Sequence, residues 1–334
     1  MHSQAMTILG AGSWGSALAL YLARLGQTVY LWSYERHHAA MLATDRLNRR
    51  YLPNHLFPDT LHPIANLAEA VSYSNDLLIA VPSFAFADTL TALKPTMTHP
   101  IRLICATKGL DHSTGRLLHQ VTADTLGQEI PYAVLSGPSF AKEVASGLPT
   151  AIVIASQDQS FANELVARFN TDIFRVYTST DVTGVEICGA LKNVLAVATG
   201  ISDGMGFGAN ARSALITRGL AEMTRLGVAM GGKLETFMGL AGVGDLVLTC
   251  TDNQSRNRSF GLALGKGIDA NQAEKDIGQV IEGKKNAGIV LSLAAQYHIE
   301  MPITEVVWGI LSGTLTPSSA MLNLVSRQPK IESN

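Results

Sequence analysis

The stretch "ILGAGSWGSALALYLARLG", residues 8–26, decides how the fold is read. A short apolar run ends in Gly10-x-Gly12-x-x-Gly15, and a helix of small and apolar residues follows. The bare glycine pattern is weak; a strand before it and a helix after it make it informative. Gly10 permits a tight turn, Gly12 lets the backbone approach a pyrophosphate, and Gly15 lets helix and strand pack closely. The helix start then offers free N–H groups and a positive dipole end to phosphate. Two later glycine-rich stretches, "GMGFGA" and "GLAGVGDL", follow no strand and match poorly.

Working outward, the same strand–helix alternation fills the first half. Strands are predicted at 6–10, 28–32, 77–82, 102–107, 132–136, 151–156 and 173–178. Most are separated by helical stretches such as "SALALYLARLG" and "SFAFADTLTALKP". Continuous apolar strands spaced by helices form a parallel sheet covered on both faces, a doubly wound α/β domain of the Rossmann type. Past about residue 180 strand signals fade, and "ARSALITRGLAEMTRLGVAM" and "KKNAGIVLSLAAQYHI" repeat apolar residues at helical spacing. The expectation is a dinucleotide-binding domain over 1–180 and an all-α substrate domain over 181–334, with the boundary near 178–184.

Composition agrees with two domains, because 334 residues exceed one ordinary core. Charged residues make up 16%, against roughly 25% in a typical soluble domain, so much surface is hidden in cores or a subunit interface. A homodimer is expected on this ground. The net charge of −2 comes without charge runs, which argues against nucleic acid and against a polybasic membrane anchor as partners. Cys105, Cys188 and Cys250 form neither a metal spacing nor a disulfide framework and read as reduced thiols; no metal is expected. The start "MHSQAMTILGAG" lacks a signal-peptide layout, and no uninterrupted apolar run suggests membrane insertion, so a cytoplasmic protein is expected.

The second strand, "TVYLW", ends without the carboxylate that binds a ribose 2′-hydroxyl in NAD-preferring sites. Ser33 and Tyr34 stand there, then Glu35 and Arg36. Ser33 and Arg36 are candidates for a 2′-phosphate, which points to NADP. At the substrate end, Lys108 lies just past its strand, and Ser136, Gly137, Pro138 and Ser139 form a turn into a helix suited to an anion. Asp245 precedes an apolar run, and "SRN", Ser255 to Asn257, offers a hydroxyl, a guanidinium and an amide. Guanidinium is the preferred fork for phosphate.

One lysine stands out. "EICGALKNVLAVATGI", residues 186–201, is nearly all apolar or small, yet carries Lys192. Its neighbours on a helix face are Cys188, Gly189, Leu195 and Ala196. Desolvation lowers the pKa of such an amine and makes it a competent proton donor or acceptor. A nicotinamide enzyme needs that group, because a proton moves on oxygen while hydride moves on carbon. Asp245 is the candidate to orient it.

Taken in order, "GAGSWGSALA", "ATKGL", "SGPSFAKEV", "GALKNV", "GLAGVGDLVLTCT", "SRNRSFG" and "VIEG" resemble the NAD(P)-dependent sn-glycerol-3-phosphate dehydrogenase family of the bacterial type, over about residues 6–320. The resemblance implies a Rossmann-type domain followed by a helical one. It implies interconversion of glycerol 3-phosphate and dihydroxyacetone phosphate, feeding phospholipid synthesis, with NADP or NAD as cofactor. It makes Lys192 the catalytic acid/base. Lys108, Gly137, Ser139, Asp245, Ser255, Arg256 and Asn257 would contact substrate, with Asn193 and Thr249 near the reactive centre. Ser13, Trp14, Tyr34, Lys108, Ala141, Arg256, Val280 and Glu282 would contact cofactor. Two other classes share parts of the pattern: a hydroxyacid or ketopantoate reductase that uses a lysine, and an NADP-binding sensor without turnover. The sensor needs neither Lys192 nor "SRN".

Overall fold

The computed structural model describes residues 5–320. Residues 1–4 and 321–334, the outer ends of the two expected domains and the start of the N-terminal stretch, lie outside the described residues. The strands are β1 (Met6–Leu9), β2 (Val29–Trp32), β3 (Leu47–Asn48), β4 (Leu52–Leu56), β5 (Leu61–Ile64), β6 (Asp76–Ile79), β7 (Arg102–Cys105), β8 (Tyr132–Ser136), β9 (Thr150–Ser156) and β10 (Phe174–Ser179). Eight of them form one sheet in the order β10-β9-β8-β7-β6-β1-β2-β5, while β3 and β4 pair as a separate antiparallel hairpin. All seven predicted strands are present.

Besides the separate hairpin, two features of the main sheet depart from the sequence reading. First, β8 and β9 are antiparallel, with Ala133 opposite Ser156 and Ser136 opposite Val153, although every other pairing in the sheet is parallel. The connection holds only the five-residue helix Ala141–Ala145. At 1.5 Å per residue such a helix is about 7.5 Å long, too short to return the chain across the sheet. Second, β5 was not predicted. Its sequence, LHPI, carries Pro63, which a strand tolerates at the sheet edge where β5 lies.

Among the described residues seven α-helices accompany the sheet: α1 (Ser13–Arg24), α2 (Arg36–Asp45), α3 (Leu67–Ser72), α4 (Phe86–Leu93), α5 (Leu118–Leu126), α6 (Ala141–Ala145) and α7 (Gln159–Phe169). Beyond β10 the described elements are all helical: α8 (Val182–Gly204), α9 (Gly208–Ala229), α10 (Leu234–Phe237), α11 (Asp245–Thr251), α12 (Arg256–Gly265), α13 (Ala270–Ile277), α14 (Glu282–Gln296) and α15 (Pro302–Leu311). A single turn of π-helix, Leu240–Gly244, leads into α11.

The helix α8 is mostly apolar and buried on nearly every side, and α9, α11, α12, α14 and α15 pack about it. A helix of that composition belongs in a core. Its length and mean hydropathy of 1.4 match a membrane span, but its apolar window is wholly buried inside the fold. Residues 234–251 also pass that test, with 39% of the window buried, as two short helices joined by the π turn rather than one straight helix. The contact between α8 and α12 is backbone against backbone. A Cβ on Gly200 would stand 2.1 Å from the Arg258 carbonyl oxygen, and one on Gly261 would stand 2.1 Å from that of Val197. Only glycine permits this approach, and it brings the first residues of α12 beside the middle of α8.

Candidate active site

A cleft of about 1460 Å³ opens beyond the carboxyl ends of the central strands and runs between the sheet half and the helical half. At one end lies the glycine turn. Gly10 adopts φ +120°, where a side chain would meet Ala80 backbone at 2.8 Å, and a Cβ on Gly15 would stand 1.9 Å from the Gly10 oxygen. These two residues let β1, α1 and the turn before it nest together. Gly12 differs: a Cβ there would meet nothing within 4 Å. It caps α1 with no side-chain hydrogen bond, and the first turn holds no acid, so the first-turn N–H groups have no side-chain acceptor. The Trp14 Nε1 is also buried without a partner. A glycine left free for a ligand and an uncapped twelve-residue helix fit the pyrophosphate of a dinucleotide.

At the other end two lysines share one carboxylate. Asp245, 1% exposed at the start of α11, places Oδ1 2.5 Å from Lys192 Nζ and Oδ2 2.7 Å from Lys108 Nζ. Lys192 also donates to Thr249 Oγ1 at 3.0 Å, and Lys108 to the Gly137 carbonyl at 3.2 Å. Burial pushes the Lys192 amine well below the ordinary lysine value; the Asp245 anion opposes that shift and the Lys108 cation adds to it. Burial would raise the Asp245 carboxyl, but the two ammonium groups outweigh it and hold the carboxyl below its usual range. Two lysines against one aspartate leave a surplus positive charge at the cleft floor, which favours an anionic ligand.

A polar seam joins three helices above this floor. Asn257 Nδ2 donates to Asn193 Oδ1 at 2.9 Å, and the Gly283 N–H donates to Asn257 Oδ1 at 2.8 Å. Ser255 caps α12 by accepting from the Arg258 N–H at 3.2 Å. The Arg256 guanidinium is exposed to the cleft and donates to Gln279 Oε1 at 3.0 Å, while Ser13 Oγ donates to the same oxygen at 3.3 Å. Gln279 therefore ties the glycine turn to the helical half. Glu282 accepts from the Ser83 N–H at 3.0 Å and from Ser83 Oγ at 2.6 Å.

Most residues expected at the site line this one cleft. They are Gly10, Gly12, Ser13, Trp14, Tyr34, Lys108, Ser139, Ala141, Lys192, Asn193, Thr249, Ser255, Arg256, Asn257, Val280 and Glu282. Four of the expected residues fall outside the lining. Gly15 is buried under the turn, in the close-packing role its place in the glycine pattern predicts. Gly137 lends its carbonyl to Lys108. Asp245 has both oxygens taken by lysines, so it anchors them rather than facing the cleft. Arg36 opens α2, exposed and outside the lining, because the chain turns into the helix after Glu35; the cation in the wall there is Arg50. Ser33 itself is 4% exposed, and its Oγ is engaged with His38 Nδ1 at 3.0 Å. The turn after β8 also differs, since its helix starts at Ala141, not at Pro138.

The sequence reading missed Arg50 and Gln279. Arg50 sits in the unpredicted β3–β4 hairpin, and Gln279 in the loop before α14, and neither carries a local signature.

A dinucleotide cleft that opens onto a desolvated amine is the arrangement of a nicotinamide-dependent oxidoreductase. Comparison with known proteins narrows the class. Residues 5–162 match the model described as NAD-dependent glycerol-3-phosphate dehydrogenase N-terminus, and residues 181–322 match the corresponding C-terminus model. The chain belongs to that family. It is 54% identical over 333 residues to glycerol-3-phosphate dehydrogenase (NAD(P)+) of Bartonella henselae, covering 99% of this chain and 98% of the relative. The enzyme of Escherichia coli strain K12 / DH10B is 53% identical over 332 residues, with the same coverage. A crystal structure of glycerol-3-phosphate dehydrogenase from Coxiella burnetii superposes with a TM-score of 0.95 at 53% identity, covering 98% of this chain and all of that one. The cofactors of this family are NAD and NADP.

Proposed function

We propose that the chain interconverts dihydroxyacetone phosphate and sn-glycerol 3-phosphate with NADPH or NADH, and that Lys192 is the general acid/base. The observation that carries the lysine's role is its place: 7% exposed, lining the cleft, and held by Asp245 and Thr249. The bound nicotinamide supplies the hydride. Lys192 then donates a proton to the carbonyl oxygen in reduction and takes it back in oxidation. Its depressed pKa suits both directions near neutrality. Asp245 holds the lysine in place, and Lys108 adds positive charge beside it. Arg256, at the start of α12, suits the substrate phosphate through its planar fork. Ser139, Asn193, Thr249, Ser255 and Asn257 complete the polar wall.

The product suits glycerophospholipid synthesis, and we place the enzyme in the cytoplasm, soluble and without membrane insertion or nucleic-acid partner. We propose a homodimer on the low charged fraction of 16%. We also propose 1–180 and 181–334 as its two functional units; the last strand ends at Ser179 and α8 begins at Val182. Loss of reduced-nicotinamide absorbance with dihydroxyacetone phosphate, and none with 2-keto acids, is the expected result. Turnover of ketopantoate instead would replace the reading with that of a carboxylate reductase.

A further inference from the structure

The far end of the cleft, beyond β2, carries an ion pair that the reaction above does not use. Arg50 Nη1 lies 3.6 Å from Glu35 Oε2, and both residues line the cleft. Glu35 is the first acid after the end of β2, the region from which a carboxylate reaches a ribose 2′-hydroxyl. Arg50 comes from the turn of the β3–β4 hairpin, with Cζ 4.9 Å from the Tyr51 ring centre.

This hairpin is fixed against the cofactor loop. Asn48 is fully buried, and its Nδ2 donates to the Ala11 carbonyl at 2.9 Å and to Ser16 Oγ at 2.8 Å. Its Oδ1 accepts from the Tyr51 N–H at 3.2 Å and from His38 Nε2 at 3.3 Å. The His38 Nδ1 in turn accepts from Ser33 Oγ at 3.0 Å. One chain of hydrogen bonds thus links the end of β2, helix α2, the hairpin and the glycine turn. It holds the backbone of residues 50 and 51 at a set distance from the turn that takes the pyrophosphate.

We propose that the Glu35–Arg50 pair sets the choice between NADP and NAD: Arg50 meets a 2′-phosphate, and Glu35, released from it, meets a free 2′-hydroxyl. Both side chains are more than half exposed, and a pair at 3.6 Å in water stabilises little, so it opens at small cost. Guanidinium and phosphate make a two-pronged, charge-assisted contact that Glu35 alone would repel. Two opposite charges on one wall give a site that accepts either cofactor, each through a different residue. This rests on the dehydrogenase reading only through the identity of the cofactor.

The test is direct titration of the full-length protein with NADPH and NADH, read by quenching of protein fluorescence and needing no turnover. Arg50→Ala should weaken NADPH roughly tenfold or more, as expected for a lost charged hydrogen bond, and leave NADH within about twofold. Glu35→Gln should weaken NADH and leave NADPH unchanged or tighter. Equal losses of both cofactors in either variant would overturn the proposal. So would an NADPH-selective loss from Arg36→Ala with none from Arg50→Ala, or a wild-type chain that binds neither cofactor. A wild-type chain that binds both but fails to reduce dihydroxyacetone phosphate would sink the substrate reading while the titrations still decide the role of the pair. An unchanged thermal midpoint in each variant shows that the measured losses are local.

Discussion

Lys192 Nζ and Asp245 Oδ1 lie 2.5 Å apart, although 53 residues separate them in sequence and both are buried. Neither residue explains the other's burial alone. An unpaired ammonium in α8 or an unpaired carboxylate at the start of α11 would each be costly. Together with Lys108 they form a cluster with one charge left over, open on its cleft side. Such a cluster costs stability unless a ligand uses it, so the predictions begin there.

Replacing Lys192 with Met keeps length and helix compatibility and leaves Asp245 its contact with Lys108. We expect kcat to fall at least ~10²-fold, within the usual range for general acid–base catalysis, with cofactor affinity near wild type. The thermal midpoint should stay level or rise at neutral pH. Below the ordinary lysine pKa the unfolded chain holds a proton that the folded amine binds less well, so the buried amine is a destabilising group there. Any gain in the variant should therefore shrink as pH rises toward the ordinary lysine value. Retained kcat with lost stability would make Lys192 a structural residue.

Asp245→Asn removes the anion that supports the Lys192 proton. The pKa of Lys192 should then fall further, and reduction, which needs the protonated amine, should lose rate from a lower pH than in wild type. The pH profile of single-turnover reduction checks the sign. A limb moved to higher pH would mean that Lys192 is not the titrating group.

Arg256→Lys keeps the charge and loses the planar fork. KM for dihydroxyacetone phosphate should rise several-fold, about 1 kcal/mol or more for a weakened charged hydrogen bond. Because Gln279 bridges Arg256 and Ser13, Gln279→Ala should weaken the cofactor more than the substrate. Steady-state KM for both ligands decides this, and an unchanged KM for both would remove Arg256 and Gln279 from the binding of either ligand.

Gly261→Ala places a methyl 2.1 Å from the Val197 carbonyl oxygen, where only backbone can give way. We expect a loss of about 2 kcal/mol or more, in the range for overpacking, and a weakened Asn193–Asn257 contact. Chemical denaturation measures the first, and KM for substrate the second. Wild-type stability in this variant would show that α8 and α12 can separate freely.

The sequence by itself determined the alternating elements, the cofactor turn and the candidates for chemistry. These are local: an apolar run fixes a strand, Gly10-x-Gly12-x-x-Gly15 fixes the turn, and a lysine in an apolar helix announces itself. Tertiary structure decided what depends on partners distant in sequence. The antiparallel run of β9 follows from a connection too short to cross the sheet, and β5 exists only because β2 offers it an edge. Sequence offers Asp245 both as a substrate contact and as the residue that orients Lys192; the fold adds Lys108, so that each oxygen meets a lysine. Arg50 takes the place expected of Arg36 in the cleft wall because Asn48 pins an unpredicted hairpin beside the glycine turn. Local pattern specifies the backbone conformation of each element, whereas pairing direction, and the partner a buried charge finds, depend on which elements the fold brings together.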